Sequence, residues 1–389
     1  MMKKSDLEQE FKNIFKTEPQ RTFFSPGRIN LIGEHTDYNG GHVFPCAITI
    51  GTYGVYAPRE DNLVRMYSAN IPDAGIVEFD VNDFDFNKKF GWTNYSRGMM
   101  VEIQKVGYKF EHGFDFYVHG NMPDGAGLSS SASIEMLTGI MLNEGFSFGI
   151  SQIDLVKMGQ RCENDYVGVN SGIMDQFAVG MGMKDQAILL DTNTMEYSYA
   201  PVKLDNYVIV IMNTNKRREL ADSKYNERRG ECEEALRRLQ NKLKIDSLGE
   251  LNNDEFDEHA YLINDATLIK RARHAVSENQ RTIKASKALD KNDLKTFGLL
   301  VTASHISLHY DYEVTGVELD TLAEAAWQQP GVLGARMTGA GFGGCGIAIV
   351  AKDQVENFKQ SVGKIYRDKI GYDADFYVAE ISDGPRELK

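Results

Sequence analysis

The chain reads as an α+β protein of two domains, or of one large one, and three observations carry that reading. Its 389 residues supply ample core without staples. Over residues 46–80 apolar and polar positions alternate as in antiparallel strands, with turns at 59–62 and 71–73. Past residue 205 long charged helical stretches take over, at about 218–244 and 255–299. The linker near Asp205 is therefore the candidate boundary between a domain of residues 1–205 and one of residues 206–389.

Residues 5–16 form a short amphipathic helix with Leu7, Phe11 and Phe15 on one face. Residues 21–39, RTFFSPGRINLIGEHTDYN, read as a strand broken by Ser25-Pro26-Gly27, a second short strand, and a loop bracketed by Gly33 and Gly40-Gly41. Glu34, His35 and Asp37 fall within four residues of that loop, offering acceptors and a ring nitrogen that can grip several hydroxyls at once. A solvated turn would hold the same residues, but two apolar residues and a glycine lead into the cluster, as a buried strand delivering polar groups to a pocket does. Trp92, Tyr95 and Met99 begin a helix that runs through residue 106, and residues 114–119 form a strand.

That strand feeds residues 120–143, GNMPDGAGLSSSASIEMLTGIMLN, a glycine-rich bend opening into an amphipathic helix. Gly125 and Gly127 let the backbone take positive φ and approach a ligand, while Ser129, Ser130, Ser131 and Ser133 place hydroxyls and N–H groups at the helix start. Unpaired first-turn N–H groups and the helix dipole attract anions, so a triphosphate is a natural occupant. Serine and glycine before a helix are also ordinary capping chemistry. No Gly-Lys-Ser/Thr follows, so this is not a Walker A loop.

Ser151 and Asp154 cap a further helix, from 153 to about 166, which carries Glu163. Glycine-rich residues 168–172 lead into a lone acid, Asp175, among apolar neighbours; desolvation there tunes acid–base chemistry, although an Asp capping a short helix has the same pattern. Residues 187–199 and 206–212 read as strands. The basic runs Lys216-Arg217-Arg218 and Arg228-Arg229 read as solvated helix faces. In MTGAGFGGCG, residues 337–346, the glycines formally satisfy GxGxxG, but a strand follows where the dinucleotide fingerprint needs a helix. Such a loop still lets backbone approach a ligand or another loop.

A net charge of -13 argues against general nucleic-acid binding and against an anionic membrane surface. Cys46, Cys162, Cys232 and Cys345 are scattered, with no CxxC pair and no histidine at metal-ligand spacing, which favours a reducing compartment. The start, MMKKSDLEQEFKNIF, lacks the apolar core of a signal peptide, and the longest apolar runs, 208–212 and 347–351, are far short of the roughly 20 residues of a spanning helix. A cytoplasmic small-molecule enzyme is expected.

Three stretches, GRINLIGEHTDYNGG at 27–41, PDGAGLSSSAS at 123–133 and TGAGFGGCG at 338–346, together closely resemble the three motifs of the GHMP small-molecule kinase superfamily. The first is similar to the signature of galactokinases, and GIMDQF at 172–177 and SKYNERR at 223–229 also match. The resemblance implies the two-domain α+β GHMP kinase fold, with an N-terminal ribosomal-protein-S5-like domain, a C-terminal ferredoxin-like α/β domain with extra helices, and substrates in the cleft between them. It implies ATP-dependent phosphorylation of the anomeric hydroxyl of α-D-galactose, by a monomer that needs neither nucleic acid nor membrane. A kinase for N-acetylgalactosamine or arabinose, or a non-catalytic galactose sensor, is the alternative; the whole SSSAS argues against the sensor.

Residue by residue, the resemblance makes Glu34, His35, Thr36, Asp37, Gly172, Asp175 and Tyr225 the sugar site. Asp175 would accept the hydroxyl proton, and Arg28 would hold Asp175 ionised and stabilise the transferring phosphoryl group. Gly125, Ala126, Gly127, Leu128, Ser129, Ser130 and Ser131 would wrap the ATP phosphates, Ser131 and Glu163 would coordinate Mg²⁺, and Ser68 and Trp92 fall where the family contacts the nucleotide. Phosphoryl transfer independently asks for these parts, a cradle, a cation and a positioned nucleophile. The departures are small residues beside the motifs: Ser171 where Cys is common, Cys162 where Ala is, and Gly346 where Thr is.

Overall fold

A computed structural model describes residues 2–123, 125–169, 171–216 and 221–389. Arg217 and Arg218 of the first basic run lie outside the described residues, as does the expected start of the helix at 218. The first half contains α1 (Lys4–Phe15), β1 (Arg21–Asn30), β2 (His42–Val43), β3 (Pro45–Pro58), β4 (Leu63–Ser68), β5 (Val77–Asp80), α2 (Thr93–Lys105) and β6 (Phe114–Gly120). There follow α3 (Ser130–Gly145), α4 (Gln152–Arg161), α5 (Met174–Gly180), β7 (Gln186–Asp191) and β8 (Tyr197–Pro201). The second half contains β9 (Tyr207–Asn213), α6 (Ala221–Leu239), α7 (Asn253–His259), α8 (Ala266–Asp290), α9 (Leu294–Ser307) and α10 (Gly316–Trp327). It ends with β10 (Val332–Thr338), β11 (Cys345–Ala351), α11 (Val355–Ile370), β12 (Asp375–Ala379) and β13 (Arg386–Glu387).

Three sheets result, ordered β13-β1-β3-β6-β4-β5, β10-β11-β9-β12 and β2-β7-β8. The stretch 187–199 is thus a hairpin, β7 with β8, and not one strand. β3 and β4 do not pair, although they follow one another; β6 inserts between them and runs parallel to β4, with Met66 opposite Phe116. Ser25-Pro26-Gly27 does not break β1. The ten-residue strand runs through it with a register shift, so that Pro26 faces Gly51 and Gly27 faces Ile48. A bulge accommodates the missing proline donor and turns the strand end toward the site.

Period-two alternation assigns the strand faces. On the first sheet Phe24, Tyr53, Val55 and Tyr117 meet Leu7, Phe11 and Phe15 of α1. Phe23, Tyr56, Phe114 and Phe116 point the other way, into a core with Met99, Leu137, Leu155 and Phe177 from α2 to α5. α3 is buried nearly all round and not amphipathic, because it lies between the sheet and three helices; even Glu135, Thr138 and Asn143 are buried. On the second sheet Val210, Met212, Ala348 and Val350 pack on Leu322 of α10 and Phe358 of α11. Ile209, Ile211, Ile347 and Ile349 instead meet Ile29, Leu31, Ile32 and Leu128, and this cluster seats the first motif and the glycine loop against the second sheet. The final strand, β13, returns to β1, pairing Phe23 with Glu387. Among the described residues no helix is long and apolar enough to cross a membrane.

The α1 cluster shares no residue with the lining of the cavity described below. Phe11, fully buried there, should cost about 3 to 5 kcal/mol when truncated in Phe11→Ala. Urea unfolding should show that loss while turnover at 25 °C stays at the wild-type value.

Candidate active site

One cavity of about 290 Å³ brings together Arg28, Glu34, His35, Asp37, Gly125 to Ser131, Glu163, Gly172, Asp175 and Tyr225, with Gly339 and Ala340 of the third motif. The loop ahead of α3 takes positive φ at every second residue: 66° at Gly125, 71° at Gly127 and 62° at Ser129. Alternation of this kind turns successive N–H groups into a concave anion nest, and the nest opens into the α3 N-terminus. β1 holds the loop in place: past the bulge the Arg28 N–H donates to the Leu128 carbonyl at 3.1 Å. Gly27 is required for that approach, because a Cβ there would lie 2.8 Å from the same oxygen.

The Arg28 side chain is 4% exposed and grips Asp175 with two bonds, Nε to Oδ1 at 2.8 Å and Nη2 to Oδ2 at 3.0 Å. Its Nη1 donates to the Gly127 carbonyl at 2.7 Å. Burial acts to lower the Arg28 pKa, but Asp175, Glu34 and Asp37 outweigh it and raise the value, so the guanidinium is firmly cationic. Ser129, in the left-handed region, donates its hydroxyl to Asp175 Oδ2 at 2.6 Å. Oδ1 therefore carries one bond and keeps a lone-pair site for an incoming hydroxyl.

The acidic cluster divides its labour. Glu34 accepts the Gly339 N–H at 2.6 Å and the Asn30 amide at 2.9 Å, which ties the first motif to the third. His35 has φ 61° and lines the cavity, but both ring nitrogens are engaged, Nε2 with the Ala340 carbonyl at 3.2 Å and Nδ1 with the Tyr38 hydroxyl at 2.7 Å. The carbonyl forces a proton onto Nε2, so Tyr38 donates to Nδ1 and itself accepts from Tyr312 at 2.7 Å. Burial, then His274, lower the His35 pKa to about 3, so the ring is neutral. Thr36 does not line the cavity; its hydroxyl donates to the Gly33 and His42 carbonyls and closes the loop. Asp37 faces Gly172 so closely that a Cβ there would sit 1.8 Å from its Oδ2. Tyr225 stands with its ring centroid 5.6 Å from that of His35.

Ser131 and Glu163 both line the cavity. Glu163 sits in a π-helical turn after α4 and accepts from Ser171 Oγ and Gln176 Nε2, each at 2.8 Å and both on Oε2. Among the described residues no hydrogen bond uses its Oε1. A carboxylate oxygen left over in a cavity also lined by a serine suits Mg²⁺, which takes oxygen ligands and keeps waters. Ser68 and Trp92 do not line this cavity: Ser68 is buried on β4, where its Oγ accepts the Asn70 N–H at 3.3 Å, and Trp92 packs against the first core. Unforeseen participants are Arg336, whose Nη1 donates to the Asn30 carbonyl at 2.9 Å, and Asn70, whose amide bonds both the N–H and the carbonyl of Gly120 at the loop entry; the bond of Ser129 to Asp175 is likewise unforeseen. Gly339 and Ala340 come from the glycine loop read as able to approach another loop, which they do.

Burial, and then the charges of Asp175 and Glu34, push the Asp37 carboxyl up to about 7. A carboxyl whose pKa rises on folding favours the native state below its unfolded value and loses that contribution as pH climbs through the native one. In the sugar-free protein Asp37→Asn should therefore gain stability over wild type steadily from about pH 4 to about pH 7, then hold a constant margin. Unfolding midpoints across that range give the test; a flat difference would show that Asp37 does not titrate there.

Residues 9–58 match the galactokinase galactose-binding signature, residues 94–183 the GHMP kinases N terminal domain and residues 285–368 the GHMP kinases C terminal. The chain is 81% identical over 387 residues to a galactokinase of Lactiplantibacillus plantarum, with 100% of each covered. It is 62% identical to one of Streptococcus mutans, covering 100% of this chain and 99% of the other. The crystal structure of Lactococcus lactis galactokinase complexed with galactose is similar with a TM-score of 0.96 at 55% identity, over 99% of each chain. A mevalonate kinase shares the fold, with a TM-score of 0.69 at 18% identity over 94% of this chain and 100% of that one. With these matches, the chain belongs to the galactokinase family.

Proposed function

We propose that the chain transfers the γ-phosphoryl group of ATP to the anomeric hydroxyl of α-D-galactose, giving galactose 1-phosphate and ADP. The observation that carries this reading is the convergence on Asp175: Arg28 and Ser129 hold its carboxylate beside an anion nest, in a cavity that also holds the acidic cluster. The nest and the α3 N-terminus hold the donor phosphates by backbone N–H groups, with no lysine needed. Glu34 and Asp37 accept sugar hydroxyls, and Tyr225 walls the site.

Asp175 Oδ1 receives the anomeric proton as the oxygen attacks the γ-phosphorus and the bond to the β-phosphate oxygen breaks. Arg28 spends three of its five N–H groups on Asp175 and Gly127, which leaves two for the transferring group, where positive charge counters the negative oxygens. Ser131 and Glu163 are the residues that would hold Mg²⁺, which when bound neutralises phosphate oxygens. Positioning contributes alongside proton transfer, because the phosphoryl transition state has little covalent chemistry for the protein to perform.

Asp175→Asn keeps the size of the side chain and removes the base. It should lower kcat by ~10² to 10⁴-fold while the affinity for ATP stays within about twofold of wild type. A coupled assay for ADP release, run on galactose, N-acetylgalactosamine, glucose and arabinose, reads both the base and the sugar. Near wild-type kcat in the variant removes Asp175 as base, and a higher kcat/KM on another sugar removes galactose as substrate.

A further inference from the structure

Behind the cavity lies a wholly buried polar contact that the mechanism above does not use. Gln176 follows Asp175 on α5, and successive helical residues point about 100° apart. While Asp175 meets the cavity, Gln176 enters the packing between α3, α5 and the turn that bears Glu163. Its Nε2 donates one hydrogen to Glu163 Oε2 at 2.8 Å and the other to Glu135 Oε2 at 2.9 Å. The amide orientation is forced, since the reverse would set an oxygen against two carboxyl oxygens. Gln176 and Glu135 are both 0% exposed.

This contact is costly. Gln176 Oε1 is buried without a hydrogen-bond partner, and among the described residues Glu135 forms no ion pair with a lysine or arginine. Both conditions lower stability, and a leucine and a methionine would fill the same space without them. What the polar pair supplies that apolar residues would not is direction at Glu163. Both bonds that Glu163 accepts, from Gln176 and from Ser171, fall on Oε2.

We propose that Gln176 and Glu135 are positioning residues for the divalent cation: Glu135 holds the Gln176 amide, the amide holds Glu163 by Oε2, and Oε1 is thereby presented to the metal. The inference rests on Glu163 being a cation ligand. Outer partners of this kind fix a ligand's orientation and are felt in metal affinity.

The test is a Mn²⁺ titration of the full-length protein with a non-hydrolysable ATP analogue, read by electron paramagnetic resonance of the free ion, with galactose affinity measured separately by calorimetry. Gln176→Met and Glu135→Leu should each weaken Mn²⁺ binding by ~10 to 100-fold and leave galactose affinity within about threefold. Glu135→Gln still accepts from Gln176 and should bind Mn²⁺ as wild type does, a rescue that a purely space-filling role does not predict. Either truncation suffices if the other does not fold by circular dichroism. Should folded Gln176→Met or Glu135→Leu bind Mn²⁺ like wild type while Glu163→Ala has lost it, the positioning role is overturned and the cation assignment stands. If Glu163→Ala also binds like wild type, the cation assignment falls and takes this inference with it.

Discussion

The site depends on one buried cation. Arg28 arrives on β1, the strand that the first sheet shares with β3 and β13, and it reaches both Asp175 of α5 and the Gly127 carbonyl of the phosphate loop. Three segments distant in sequence are thereby held to one point. Burying an ion pair is costly in itself, and here two Arg28–Asp175 bonds, the Gly127 carbonyl and the Ser129 hydroxyl offset that cost; removing one member would strand the other, at about 3 to 5 kcal/mol. The bulge at Pro26 and the bare Cα of Gly27 matter for the same reason. They let β1 leave its register with β3 and bond the loop at Leu128, which delivers the guanidinium beside the nest.

Around that cation stand three carboxylates, Glu34, Asp37 and Asp175, all close enough to act on Arg28. Arg336 also pairs with Glu34, at 3.4 Å, while burial and then the charges of Asp175 and Glu34 push the Asp37 carboxyl up to about 7. Glu34 accepts from the Asn30 amide and the Gly339 N–H, so it welds the first motif to the third. On the proposed function a sugar would bring hydroxyl donors into this crowd of acceptors. Hydroxyl recognition would then relieve repulsion that the sugar-free site holds, and an analogue lacking a hydroxyl would leave a buried acceptor unpaired.

Much of this was legible because phosphate binding demands unusual backbone, and unusual backbone demands glycine. Gly125 and Gly127 were readable as positive-φ positions and take it, and the local cluster Glu34 to Asp37 was visible as a group. Ser129 was readable as a hydroxyl at a helix start but not as a left-handed residue bonded to Asp175, since serine seldom adopts that φ. The tying-up of His35 was invisible for a different reason. Ala340, which takes Nε2, and Tyr312, which bonds the Tyr38 hydroxyl on Nδ1, lie hundreds of residues away, and only tertiary structure brings them there. Likewise Thr36 reads as one more polar group in the cluster, whereas its hydroxyl is consumed by its own loop. α3 was misread as amphipathic because helical periodicity reports one apolar face, and its polar residues Glu135, Thr138 and Asn143 turn out to face protein.

Two helices give way to π-helical turns, and both turns supply the site. After α4 the turn Cys162–Val167 carries Glu163, and after α9 the turn Leu308–Tyr312 carries Tyr312, whose hydroxyl begins the chain of bonds through Tyr38 to His35. A π turn widens the helix by one residue, rotates the side chains that follow and is tolerated where function repays the poorer packing. In the first case the turn sets a carboxylate on the cavity that Ser131 also lines, with the Glu163 carbonyl taking the N–H groups of both Gly168 and Val169 as the turn closes. In the second it sets a phenol against Tyr38 of the acidic loop, where it also meets Cys232 at 3.2 Å. Regular α-helical continuation at either place would carry the side chain about 100° per residue along a different path, so the irregular turns belong to the site as much as the glycine loop does.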